Sequence, residues 1–476
     1  MITGPLPGRL KLMHGFGAVA FGVKDGGFSF FLLPFYNLVL GVDAGIVGAA
    51  LATALVIDAI ADPLIGHLCD RTYTRWGRRL PWLYIAPIPL AMAWALLWSP
   101  PFTGVPTFGE ILALAVGVRL LLSACEVPSI SMVPEITDDY VERTTLFRYR
   151  YLSGWIGGLA MSVLAFTVFL PTPESQLQPD GYAVFGMVGA VVIMVSVIGS
   201  AAGQHRYLAR LPDTPPPPFS ITAAFAEIFD AFRERAFVIF AFGALAAHVS
   251  TGVTLSISLY VTRYVWQFSE LAFKLYPLAL GLSVVAMFFL VGPLHRRFGK
   301  PLSGSAASLA TLAIAGTPYV LLLLGLWPQT GSTVSTVLFI TFIVFANTTG
   351  IIAIISATSM VAEIVEAYEE RTGKRAEGTF YAGNWLVTKS ATGGGILLTS
   401  LIVEVIGLEP GTAQAAVAPE VVTNLAVAYL AVTAVLALTS AYWLARFPIS
   451  RADHEARLAA RTAAAATGPA RERPAA

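Results

Sequence analysis

Two aspartates, Asp58 and Asp62, stand inside the apolar run of "VIDAIADPLIGHLCDRTYTRWGRRLPW" (residues 56–82), which ends in a knot of arginines. On a helix a spacing of four places both carboxylates on one face, about 40° apart around the axis and roughly 6 Å apart along it. An ionised carboxylate in a membrane helix costs about 2.5–3.5 kcal/mol on insertion scales. Two of them together repel, and one takes up a proton unless a positive charge comes between them. A monovalent cation held by oxygens of both relieves the repulsion. Pro63 has no N–H, so it frees the carbonyl of Ala59 as a further oxygen. The competing reading is a salt-bridged staple between helices. It is disfavoured because no neighbouring segment supplies two free cations.

The same chain carries other charges at membrane depth: Lys24 and Asp25 in "VKDGGF", Arg119, Glu126 in "SACEVPSISMVPE", and Lys389 in "WLVTKSATGGG". Asp25, Asp58, Asp62 and Glu126 outnumber Lys24 and Arg119 in the first half of the chain, and Lys389 from the second half offsets part of that excess. Lys389 has no acid within four residues, so its partner lies across the bundle, with Asp58, Asp62 and Glu126 as candidates. For Arg119 alone, pairing with a carboxylate on an adjacent helix is the simpler role. His248 reads as a hydrogen-bonded structural residue, and the glycines of "TGGG" as a site of close helix packing.

These residues need a membrane scaffold, and the composition provides one. Of the 476 residues, 56% are hydrophobic and only 12% charged, with a mean hydropathy of +0.71. Charged residues make up about 25% of soluble domains. Twelve apolar windows of spanning length run from 14–40 to 422–447. Five of the basic residues, Lys24, Arg119, Arg263, Lys274 and Lys389, lie in or at the far ends of helices. All the others fall on one side of the membrane, in "DRTYTRWGRR", "ERTTLFRYR", "HRRFGK", "EERTGKR", the central linker with the helix ends beside it, and the terminal segments. The positive-inside rule places that side, and both termini, in the cytoplasm of a multi-pass inner-membrane protein.

The fold class expected is all-α and integral to the membrane, with twelve helices in two pseudo-symmetric six-helix bundles. The amino-terminal bundle covers 1–203 and the carboxy-terminal bundle 237–447. A cytoplasmic linker containing "LPDTPPPPF" covers 204–236. The tail, 448–476, has no apolar span and reads as disordered. Cys69 and Cys125 both fall in spanning segments and imply no disulfide framework. Zinc-protease, nucleophile-elbow and phosphate-loop signatures are missing, so no enzyme is indicated.

"DAIADPLIGHLCDRTYTRWGRRLPW" resembles the signature of the glycoside–pentoside–hexuronide:cation symporters of the major facilitator superfamily. "GFGAVAFGVKDGGF", "EVPSISMVPEIT", "ERTTLFRYR" and "SMVAEIVEAYEERTGKRAEGTFYAGNWLVTKSATGG" resemble further parts of that family, in the same order. The resemblance implies alternating-access symport of a sugar or related small organic solute with Na⁺ or H⁺, and no cofactor beyond that ion. It places the cation at Asp58, Asp62, Ser123 and Glu126, with Asp58 and Asp62 holding Na⁺ if sodium is the coupling ion. It places the solute at Lys24, Asp25, Glu126, Arg150 and Lys389. Two tryptophans of the family's sugar site fall on Ile130 and Ile354, which makes the cavity more apolar. The partners implied are a solute, a monovalent cation and the bilayer, with no nucleic acid, and the carrier is expected to act as a monomer. Two alternatives accompany this reading: a Na⁺-dependent lysolipid carrier, and a non-transporting sensor on a transporter scaffold. The "DRTYTRWGRR" arginines are expected to pair with Glu135, Asp138 and Glu142 and close the inner gate.

Overall fold

A computed structural model describes residues 4–137, 139–209, 229–373, 376–409 and 417–449. The proline run of the linker, Asp138 and nearly all of the tail lie outside the described residues. Among the described residues, eleven helices are long and apolar enough to cross a bilayer. A twelfth crossing is made of two pieces, Leu80–Ile85 and Pro87–Trp98. Pro87 has no N–H for the helical ladder, which is why the sequence window of 81–100 folds as a broken span. In chain order the crossings are α1 (Gly8–Val39), α2 (Ala44–Arg71), α3 (the broken span), α4 (Phe108–Ile136), α5 (Val141–Phe169) and α6 (Pro179–Leu208). The second half repeats the pattern with α7 (Arg235–Val265), α8 (Glu270–Phe298), α9 (Lys300–Leu323), α10 (Thr333–Thr372), α11 (Glu377–Val405) and α12 (Pro419–Ala445).

Local chemistry sets the ends of these helices. The Asp43 carboxylate accepts from the backbone N–H groups of Gly45 (2.9 Å) and Ile46 (3.3 Å) to start α2. Thr107 and Glu110 form a reciprocal capping box on α4. Gly373 closes α10 at φ 69°, a left-handed cap that a side chain resists. Inside α1, Pro34 cannot donate to the ladder, and the helix widens to π-type turns at Gly27–Phe31 and Phe35–Val39.

The two halves meet along α2 and α11 and at the helix ends far from the arginine-rich loops. There Tyr260 donates to the Asn37 side chain (2.9 Å), and Arg263 donates to the carbonyl of Pro173 (2.6 Å). Phe166 stacks on Phe273, with ring centroids 5.5 Å apart. Gly395 approaches Gly252 so closely that a Cβ on it would lie 2.7 Å from the Gly252 Cα, which is the close packing expected of the "TGGG" run.

Candidate functional site

Helix α4 carries Arg119, Ser123 and Glu126 at spacings of four and three, so a cation, a hydroxyl and an acid share one face, and the first two meet α2. Ser123 donates to one oxygen of Asp58 at 2.8 Å. The other Asp58 oxygen lies 3.6 Å from Arg119 and 2.8 Å from Lys389 Nζ. Lys389 reaches over from α11 and also pairs with Asp62. Asp58 is 2% exposed, while the Asp62 side chain keeps 24% of its surface open. Two cations, Arg119 and Lys389, therefore serve the aspartate pair, against the expectation that the neighbouring segments do not supply two. In this conformation the cluster does staple the halves together.

The arrangement also leaves capacity for an ion. The second Asp62 oxygen is buried without a hydrogen-bond partner among the described residues. The Asp58 carboxylate, which shares Lys389 with Asp62, and the Ser123 hydroxyl on Asp58 add further oxygens, a set that suits a hard cation. Glu126 is drawn the other way. Its carboxylate faces the Arg150 guanidinium at 3.8 Å, and Arg150 donates to Ser129 at 2.6 Å.

Around α1, Lys24 pairs with Asp25 at 2.6 Å, with Lys24 buried and the Asp25 side chain 69% exposed. Phe21 and Phe28, on either side of that pair in sequence, act as aromatic platforms. The Arg150 guanidinium sits 4.7 Å from the Phe21 ring centre, and that of Arg119 sits 4.3 Å from Phe28. Such stacking offsets part of the cost of burying a guanidinium. With Arg150 included, four acids and four bases face one another at membrane depth. The first half then holds one surplus acid, which Lys389 cancels.

Some sequence expectations fall elsewhere. Ile130 is half-buried on α4. Ile354 does not join the charged residues and lines a separate cavity walled by the second bundle. Among the "DRTYTRWGRR" arginines, Arg79 takes Glu135 (2.9 Å) and Asp70 (3.2 Å) and also donates to the Ser131 carbonyl. These contacts tie α2 to α4 within one half, so they do not bridge the halves here. Glu142 is held by Lys11 at 2.8 Å. His248 Nε2 is buried with no hydrogen-bond partner among the described residues. Sequence reasoning passed over Phe21, Phe28 and Ser129. The signal for the two rings was their positions three residues before and after the Lys24–Asp25 pair.

The chain matches the family described as MFS/sugar transport protein over residues 13–451. It is 33% identical over 171 residues to the isoprimeverose transporter of Lactiplantibacillus pentosus, covering 35% of each chain. It is 25% identical to an uncharacterized symporter of Bacillus subtilis (strain 168), over 81% of this chain and 80% of that one. Several curated relatives, the isoprimeverose transporter among them, are covered over about a third of their length. Among solved structures, a point mutant of the nucleoside transporter NupG superposes with a TM-score of 0.65 at 14% identity. That alignment covers 91% of this chain and 98% of that one, a likeness of fold.

Proposed function

The chain belongs to the MFS/sugar transport protein family, and from that premise we propose that it is a cation-coupled symporter of a sugar or related small organic solute, not an enzyme. The proposed setting is the inner membrane, with the arginine-rich loops and both termini in the cytoplasm. The observation that carries the reading is the cluster of Asp58, Asp62 and Ser123 with Lys389 of the opposite half inserted into it. Relatives named as symporters and as a sugar transporter support the solute class.

The coupling follows from the charges. A Na⁺ or H⁺ that enters between Asp58 and Asp62 competes with the Lys389 ammonium for the same oxygens. When the ion is bound, α2 and α11 lose their ionic tie, and the seal that holds the halves together weakens. When ion and solute leave, Lys389 returns, so the aspartates cross the membrane neutralised in the empty carrier. Asp25, Glu126 and Arg150 lie beside this cluster and orient the solute, with Lys24 holding Asp25. By linkage, an ion that favours the solute-binding state is itself bound more tightly in the presence of solute, by the same factor.

The test is uptake into proteoliposomes under imposed Na⁺ or proton gradients, beside counterflow in the same vesicles. Asp58→Asn and Asp62→Asn are expected to abolish gradient-driven accumulation. Lys389→Gln is expected to keep solute exchange while losing accumulation. An aspartate variant that still concentrates solute contradicts the assignment of the ion site. Equal survival of both activities in Lys389→Gln makes that lysine a structural charge.

A further inference from the structure

At the seam far from the arginine-rich loops, a buried guanidinium lacks a counter-charge. Arg263 sits in the π-type turn Val261–Val265 that ends α7, and it is 4% exposed. Its Nη1 donates across the halves to the backbone carbonyl of Pro173 at 2.6 Å. That carbonyl is only a neutral dipole. The Tyr264 ring centre, 6.0 Å from the guanidinium carbon, stands at the limit of a cation–π contact. Among the described residues, Nε is buried with no hydrogen-bond partner, and no carboxylate pairs with Arg263. The other buried cations differ, because Lys24, Arg119, Arg150 and Lys389 each face a carboxylate.

The first half brings a second unpartnered group to the same seam. Gln176 lies in the short turn Ser175–Leu177 between α5 and α6, just after the carbonyl that Arg263 holds. It is 1% exposed, and both its amide nitrogen and its amide oxygen are buried without a partner among the described residues. Tyr182 links the two residues: its hydroxyl donates to the Gln176 carbonyl at 3.1 Å, and it feels the Arg263 charge. The same turn packs on Phe35–Val39, where Asn37 accepts from Tyr260 of α7 at 2.9 Å. A buried charge and a buried amide are each costly when unpaired. One small anion between them relieves both.

We infer that this seam is a binding site for a monovalent halide such as chloride, held by Arg263 Nε and the Gln176 amide nitrogen. A sulfate or phosphate is mismatched. It brings more charge than one guanidinium neutralises, and more acceptor oxygens than these N–H groups serve. Because each half supplies one of the two groups, the site is complete only while the seam is closed. Halide therefore favours the sealed form, and sealing strengthens halide binding by the same factor. The site stands apart from the Asp58–Asp62 cluster and holds whatever solute or coupling ion is carried.

The experiment follows the unfolding midpoint of the purified full-length carrier in nanodiscs. Gluconate is replaced by chloride or bromide at fixed Na⁺ and ionic strength. The midpoint should rise saturably, by about 2 °C or more at about 0.15 M halide. Arg263→Gln should abolish that rise. Gln176→Glu is the sharper variant, because its own carboxylate supplies the missing charge to Arg263. Its midpoint in gluconate should match that of the wild type in chloride, and halide should then add nothing. Bromide soaked into crystals should give an anomalous peak beside Arg263 in the wild type and none in Gln176→Glu.

A wild type whose midpoint is the same in halide and gluconate overturns the site and leaves the place to water. So does a rise that follows the general salting-out order, with sulfate foremost, or one that persists in full in Gln176→Glu. Should either variant fail to fold, the bromide peak in the wild type decides: its presence beside Arg263 supports the site and its absence overturns it.

Discussion

Asp58 shares one carboxylate oxygen between Arg119 and Lys389, whereas Asp62 meets Lys389. The two aspartates therefore differ in what their removal leaves behind. Without the Asp58 charge, the Arg119 guanidinium, 5% exposed, retains the Phe28 ring but loses its carboxylate. Leaving one partner of a buried pair uncompensated costs about 3 kcal/mol or more. Without the Asp62 charge, Lys389 still has Asp58, and the loss should be smaller. Thermal unfolding of purified Asp58→Asn and Asp62→Asn should thus give a clearly lower midpoint for the Asp58 variant. The reverse order would mean that Arg119 draws its stability from another group. The aspartate pair and the need of Lys389 for a distant partner were legible in the sequence, because intramembrane charge is costly and its spacing is plain. That Arg119 pairs with a carboxylate of an adjacent helix was legible too, but which carboxylate was not. It depends on how α4 is rotated against α2, and the helical spacing of 119, 123 and 126 was its only trace.

At the scale of elements, glycines decide how close the helices come. A Cβ at Gly22 of α1 would fall on the backbone carbonyl of Gly154 in α5, and backbone cannot swing aside. Gly117 of α4 has open space where its Cβ would be. Gly22→Ala should therefore destabilise the protein by about 1–3 kcal/mol through overpacking, while Gly117→Ala leaves the unfolding midpoint nearly unchanged. A tolerated Gly22→Ala would show that α1 and α5 have room to separate. Hydropathy placed the spans but was silent on their interiors. The break in α3 at Pro87 comes from a missing N–H donor, which an average over a window removes. The arginine knot was read as an inner gate, yet Arg79 is spent on Asp70, Glu135 and the Ser131 carbonyl within one half.

Across the whole molecule, the two-bundle organisation was the most legible feature, since length, hydropathy and the alternation of basic loops all specify it. The neutral cavity of the second bundle was the least legible. Its walls come from residues as far apart as Ala247 and Ser440, and none of them is charged. The halves are sealed by Tyr260–Asn37 and Arg263–Pro173 at the ends away from the arginine-rich loops, and Asp25 and Asp62 keep exposed surface. On the proposed coupling, this is the form in which a carrier without its ion would hold Lys389 in the ion's place. The most direct test of that claim needs no knowledge of the solute. It is equilibrium binding of Na⁺, and of protons in Na⁺-free buffer, to purified wild type, Asp58→Asn and Lys389→Gln. Saturable binding of one of these ions by the wild type, lost in Asp58→Asn and tightened about tenfold or more in Lys389→Gln as the competing ammonium is removed, is the predicted result. Binding that persists unchanged in Asp58→Asn, or that weakens in Lys389→Gln, would contradict the account.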